Sequence, residues 1–111
     1  MKSEIRDRGD VRIIELSGKI TIGSGDVKMR ELIDNALEQG KTKILLDLAG
    51  VSTIDSSGIG EMVACYTTVT KQDGQLKILR MSPKINDIMQ VTQLITVFDV
   101  FDDEEEAVAS F

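Results

Sequence analysis

The spacing of apolar residues changes several times along the chain. Residues 11–16, Val-Arg-Ile-Ile-Glu-Leu, are rich in β-branched side chains and predict a strand. Segment 4–8 alternates more weakly and predicts a short strand before it, with Gly9-Asp10 as the turn between them. Gly18 follows, and a loop runs through Gly23-Ser24-Gly25. From Asp26 the period lengthens. Met29, Leu32, Ile33, Ala36 and Leu37 recur at three- and four-residue spacing, which predicts a helix capped by Ser24 or Asp26 and stopped by Gly40. Residues 43–48, Lys-Ile-Leu-Leu-Asp-Leu, form a nearly continuous apolar run, the pattern of an internal parallel strand covered on both faces.

The second half repeats the alternation. Ile59, Met62, Val63, Tyr66 and Val69 trace one helical stripe that ends before Asp73-Gly74, and Leu76 to Leu79 predict a strand. Pro83 stands where a helix can begin, because its missing N–H is not needed there, and Ile85, Ile88 and Met89 give that helix an apolar side. Val97 to Val100 predict a short last strand before a C-terminal helix. The order is β-β-α-β-α-β-α-β-α. Strands alternating with helices imply parallel neighbours joined by right-handed crossovers. The expected fold is a single α/β domain over residues 1–111. Its sheet is mixed but mostly parallel, of about five strands with about four helices, and its first strand is an antiparallel edge.

Composition narrows the chemistry. The chain has 111 residues, 41% hydrophobic and 29% charged, the range of a globular domain with one core. It carries no histidine, which removes a histidine-based triad and any histidine-liganded metal. A single cysteine, Cys65, excludes an intrachain disulfide and a cysteine-cluster zinc site; mid-helix beside the apolar stripe, it reads as a buried thiol. The net charge of −6 argues against a general nucleic-acid surface. Most of that charge is one run, Asp102-Asp103-Glu104-Glu105-Glu106; outside it the chain holds 13 basic and 14 acidic residues. Carboxylates suit the positive end of a helix dipole, and Asp102 with Glu105 has capping-box spacing. No apolar run is long enough to span a bilayer, so a cytoplasmic location without membrane insertion is expected.

The informative segment is Asp55-Ser56-Ser57-Gly58-Ile59-Gly60, between a predicted buried strand and an apolar-faced helix. In open parallel sheets, ligands and partners meet the fold at the carboxyl ends of strands. A phosphate there would meet unpaired N–H groups and the helix dipole. Gly58 and Gly60 would keep the first turn uncluttered for a close partner, and Asp55 could orient a hydroxyl or help bind a cation. The plainer reading is that Ser56 and Ser57 cap the helix and the glycines permit a tight turn. The segment lacks the third glycine of a dinucleotide fingerprint and the Gly-Lys-Ser/Thr of a triphosphate loop, and Gly23-Ser24-Gly25 is a lone Gly-x-Gly. No cofactor, metal site or enzymatic activity is expected.

With its flanks, this segment resembles the STAS domains, named for sulfate transporters and anti-sigma factor antagonists, and in particular the small stand-alone bacterial antagonists. The similarity spans nearly the whole chain. It includes Gly18-Lys19-Ile20 at the end of the second strand, Ile44-Leu45-Leu46-Asp47-Leu48 before the motif, and Gly74, Leu76-Lys77-Ile78 and Ser82-Pro83 after it. The resemblance implies a protein-binding switch. The unmodified domain would bind an anti-sigma factor serine kinase and release the sigma factor. The kinase would phosphorylate Ser56, with Ser57 in reserve, and a PP2C-type phosphatase would reverse it. Asp55, Ser56, Ser57, Gly58, Ile59 and Gly60 would form the docking surface. Thr21 stands where the family often has an aspartate, a departure that leaves room for a second role. In that role the chain is an accessory or scaffold subunit of a transport or signalling complex, without serine phosphorylation.

Overall fold

The computed structural model describes residues 1–111. In chain order the elements are β1 (Lys2–Arg8), β2 (Val11–Ile20), α1 (Gly25–Glu38), β3 (Lys43–Ile54), α2 (Ser56–Lys71), β4 (Gln75–Met81), α3 (Pro83–Val91), a single 3-10 turn (Leu94–Thr96), β5 (Val100–Phe101) and α4 (Glu104–Ala109). The five strands lie side by side in sequence order. β1 and β2 form an antiparallel hairpin, and β2 to β5 run parallel. The mixed five-stranded α/β domain with an antiparallel edge is therefore the fold that the alternating pattern predicted.

This strand order also sets the layers. Three successive crossovers of one hand, all stepping in one direction, put their helices on one face. Met29, Leu32, Ile33 and Ala36 of α1, Met62, Cys65 and Val69 of α2, and Ile85 and Met89 of α3 accordingly share one core with Ile14, Ile44, Leu46 and Ile78 of the sheet. The opposite face receives only α4, which covers Val11, Ile13, Leu45 and Leu79 with Ala107, Val108 and Phe111. One carboxylate at its start holds it in place: Glu104 pairs with both Arg6 and Arg8 of β1. At its other end the Lys77 ammonium donates to the Ser110 carbonyl at 2.8 Å and lies over the Phe111 ring.

Several expectations are corrected. β2 runs on to Ile20 and β3 to Ile54, past the points where their apolar runs fade, because each continues to pair with the other through register shifts near Ser17 and Gly18. Gly18 lies within β2 at φ +105, a conformation that glycine adopts readily. The last strand is Val100–Phe101, not Val97–Val100. Upstream of it Gln93 turns at φ +61 and the chain makes a 3-10 turn, so Phe98 plugs the helical core. Phe98 meets Tyr66 of α2 edge to face, with ring centroids 5.1 Å apart. α4 is capped by Asp103, whose carboxylate accepts from Glu106 N at 2.9 Å; Asp102 is not the cap. Cys65 is fully buried within the stripe, and desolvation raises its thiol pKa.

β4 carries one left-handed residue that is not glycine. Arg80, at φ +57, is the extra residue where the pairing of β3 with β4 slips. The bulge carries its guanidinium to Asp47, a carboxylate only 4% exposed, at 3.2 Å. Asp47 also accepts from Ala49 N. Its buried charge is thus paired on one side and hydrogen-bonded on the other.

Candidate functional site

The parallel pairing of β2 with β3 ends at Ile20 and Ile54, so the β2–α1 loop and the start of α2 emerge side by side at the carboxyl edge of the sheet. Asp55 joins them. It is the extended N-cap of α2, and one carboxylate oxygen accepts from Gly58 N at 2.8 Å. The other accepts from Ile22 N at 3.0 Å, in the neighbouring loop. The Asp55 main chain is also engaged: its N–H reaches Ile20 O and its carbonyl accepts from Ile59 N. The Gly58 N–H, then that of Ile22, hold the Asp55 carboxyl below the usual carboxylate range. Asp55 is therefore the cap and the loop tether. Ser56 and Ser57 are not the caps but the first two residues of the helix.

That division of labour exposes Ser56. It stands at the first helical position, where an outward side chain meets solvent, while Ser57 is half-buried. The start of α2 carries no acidic residue of its own, so its N-terminal dipole is uncompensated apart from the Asp55 cap.

The two glycines differ. Gly58 is buried, and a Cβ there would overlap the Ile20 carbonyl and come within 2.8 Å of Ile54 Cγ1. It lets α2 lie close against β2 and does not open the turn to a visitor. The buried stripe accordingly begins at Gly58, one residue before Ile59, which is half-buried. Gly60 has no atom near its missing Cβ and leaves an open notch on the solvent side.

Two further residues join the surface that pattern reading passed over. Ile22 is 74% exposed and Val27 is 51% exposed. Ile22 is tied to Asp55 through its N–H, and Val27 lies in the first turn of α1, one turn before Arg30, whose guanidinium reaches Glu61 of α2 at 3.5 Å. The available signal was Ile22 itself, one large apolar side chain in a loop of small and polar residues. The surface has two exposed aliphatic side chains, a hydroxyl at a helix N-terminus and a glycine notch. It contains no cluster of side chains that could hold a metal. Chemically it suits contact with another protein.

A search of protein-family models matches the STAS domain over residues 2–107, and the chain belongs to that family. The anti-sigma-B factor antagonist of Bacillus subtilis (strain 168) is 30% identical over 95 residues, 86% of this chain and 84% of that protein. Among solved structures, an anti-sigma factor antagonist from Mycobacterium paratuberculosis superposes with a TM-score of 0.85 at 17% identity, covering 98% of this chain and 92% of its own. A sulfate transporter family protein from Wolinella succinogenes superposes with a TM-score of 0.78 at 20% identity, covering 93% and 85%. No helix of this chain is long and apolar enough to cross a membrane.

Proposed function

We propose that this STAS domain is an anti-sigma factor antagonist switched by phosphorylation of Ser56. In this reading it works in the cytoplasm and is not itself an enzyme. The unmodified domain docks an anti-sigma factor serine kinase on Ile22, Val27, Ser56, Ser57, Ile59 and Gly60, and the kinase lets go of its sigma factor. Asp55 and the buried Gly58 shape that surface from behind. The kinase moves the γ-phosphoryl group of ATP to the Ser56 hydroxyl oxygen, leaving ADP and a proton. A PP2C-type phosphatase hydrolyses the ester.

The observation that carries the proposal is the exposed hydroxyl of Ser56 beside an Asp55 whose two carboxylate oxygens are already occupied. A phosphate brings roughly −1.5 to −2 charges. The helix N-terminus can hold it in the free domain. In an interface fitted to a neutral hydroxyl the same charge must be desolvated next to Asp55, and a loss of ~3 kcal/mol weakens binding more than 100-fold.

Incubation with the cognate kinase and ATP should add one phosphate, located at Ser56 by mass spectrometry and absent from Ser56→Ala. Ser56→Glu should weaken kinase binding in calorimetry while leaving the melting temperature near that of the parent. Phosphate on Ser57 alone would move the acceptor. Equal affinity of the unmodified and phosphorylated proteins would refute the switch and favour the accessory-subunit reading, for which the likeness to a sulfate transporter family protein speaks.

A further inference from the structure

The β1 edge of the sheet is open, and its pattern is self-complementary. Arg8 and Val11 close a two-residue turn, so they are a hydrogen-bonded pair; along the hairpin so are Arg6 with Ile13, Glu4 with Glu15 and Lys2 with Ser17. The main-chain groups of Lys2, Glu4, Arg6 and Arg8 therefore point at β2. Those of Ser3, Ile5 and Asp7 point outward, on a side that no other strand of the sheet covers. Edge strands of this kind are normally shielded, yet here the side chain at the centre of the row, Ile5, is a 46% exposed aliphatic.

We propose that β1 pairs antiparallel with β1 of a second copy of this chain, across a two-fold axis at Ile5, so that two five-stranded sheets become one. The partner is fixed by register. Outward-pointing residues must face one another, which leaves few alignments. With the axis at Ile5, Ile5 meets Ile5, Ser3 meets Asp7 on both sides of the axis, and Glu4 meets Arg6 twice. Moving the axis to Glu4 sets Glu4 against Glu4 and Lys2 against Arg6, like charges directly opposite; moving it to Arg6 sets Arg6 against Arg6 and turns the exposed Ile5 onto the Asp7 carboxylate. The signs of residues 4 and 6 thus mirror each other about the apolar residue, the arrangement an isologous contact requires.

Arg6 has the capacity for this. Its Nε donates to Glu15 and its two terminal nitrogens to Glu104, leaving two of its five N–H groups for a carboxylate of the other copy. Glu4 is exposed. At the ends of the strand Lys2 faces Arg8, whose guanidinium is turned to Glu104 at 2.9 Å, the carboxylate it shares with Arg6. This surface is separate from the Ser56 turn and does not depend on the switch.

The test is sedimentation over a concentration series together with thiol cross-linking. Facing Cα atoms of a hydrogen-bonded pair lie ~5.5 Å apart, within disulfide reach. Ile5→Cys should therefore oxidise to a covalent dimer, the native Cys65 being buried. Ser3→Cys alone should not, because its two copies fall four residues out of register, ~14 Å apart; mixed with Asp7→Cys it should. Ile5→Pro removes one outward N–H per chain and none that β2 uses. It should raise the dimer dissociation constant at least tenfold with an unchanged circular dichroism spectrum. Should that variant unfold, the cysteine pairs decide alone. A chain that stays monomeric at every soluble concentration overturns the proposal. So does a dimer indifferent to Ile5→Pro, or one in which Ser3→Cys cross-links to itself as readily as Ile5→Cys.

Discussion

Gly58 and Gly60 stand two positions apart on α2 and serve opposite ends. Gly58 faces inward, where a methyl group would strike the Ile20 carbonyl; Gly60 faces open space. Gly58→Ala should therefore destabilise the domain by about 1–3 kcal/mol, the scale of an overpacked core. Gly60→Ala should stabilise it by up to ~1 kcal/mol, since alanine is the better helix former. Urea midpoints for the two variants, moving in opposite directions, would check both. In the sequence the pair looked equivalent, two small residues in one turn. The difference depends on which side of α2 meets β2, and a contact between main chains leaves no apolar side chain to mark it. Asp55 was misread for a related reason. Aspartate and serine are both good caps, and only the phase of the helix start distinguishes them.

Among the elements, α4 depends most on charge. It is six residues long and reaches the sheet through a small apolar patch and the pairing of Glu104 with Arg6 and Arg8. The hydrogen bond from Arg6, followed by that from Arg8, lowers the Glu104 pKa from 4.5 to about 2, and the Glu104 bond raises that of Arg6. A carboxyl depressed on folding adds stability above its unfolded pKa, and that stability is lost as the pH falls through the folded one. Docking of α4 should therefore weaken as the pH drops from 4.5 towards about 2, seen as a fall in the amide protection factors of Ala107 and Val108, each taken relative to the intrinsic exchange rate at that pH. Glu104→Gln should flatten that dependence. The acidic run was legible as a helix start but its second role was not, because Arg6 and Arg8 lie almost a chain length away in sequence. The 43–48 strand and the helix at Met29 to Ala36 were plain, since their apolar periods are strong and local. The continuations of β2 and β3 were hidden because strand pairing, not hydrophobicity, sustains them.

At the scale of the molecule, the sheet is unequally dressed, with three helices on one face and one on the other. Leu46 stands at its centre, fully buried between Ile14 and Ile78. Leu46→Asp would bury a charge with no partner and should cost several kcal/mol, enough to unfold a domain whose total stability is ~5–15 kcal/mol. Loss of the cooperative thermal transition is the expected result. The layered arrangement also gives the protein an optical property. Tyr66 is its one tyrosine and tryptophan is absent. Tyrosine emission therefore comes from a single ring, seated against Phe98 and ten residues along α2 from Ser56, a helical rise of ~15 Å. A protein that settles on the Ser56 turn leaves this fluorophore untouched. Loosening of the segment that delivers Phe98 frees the ring, so the native chain reports on its own far side without a label.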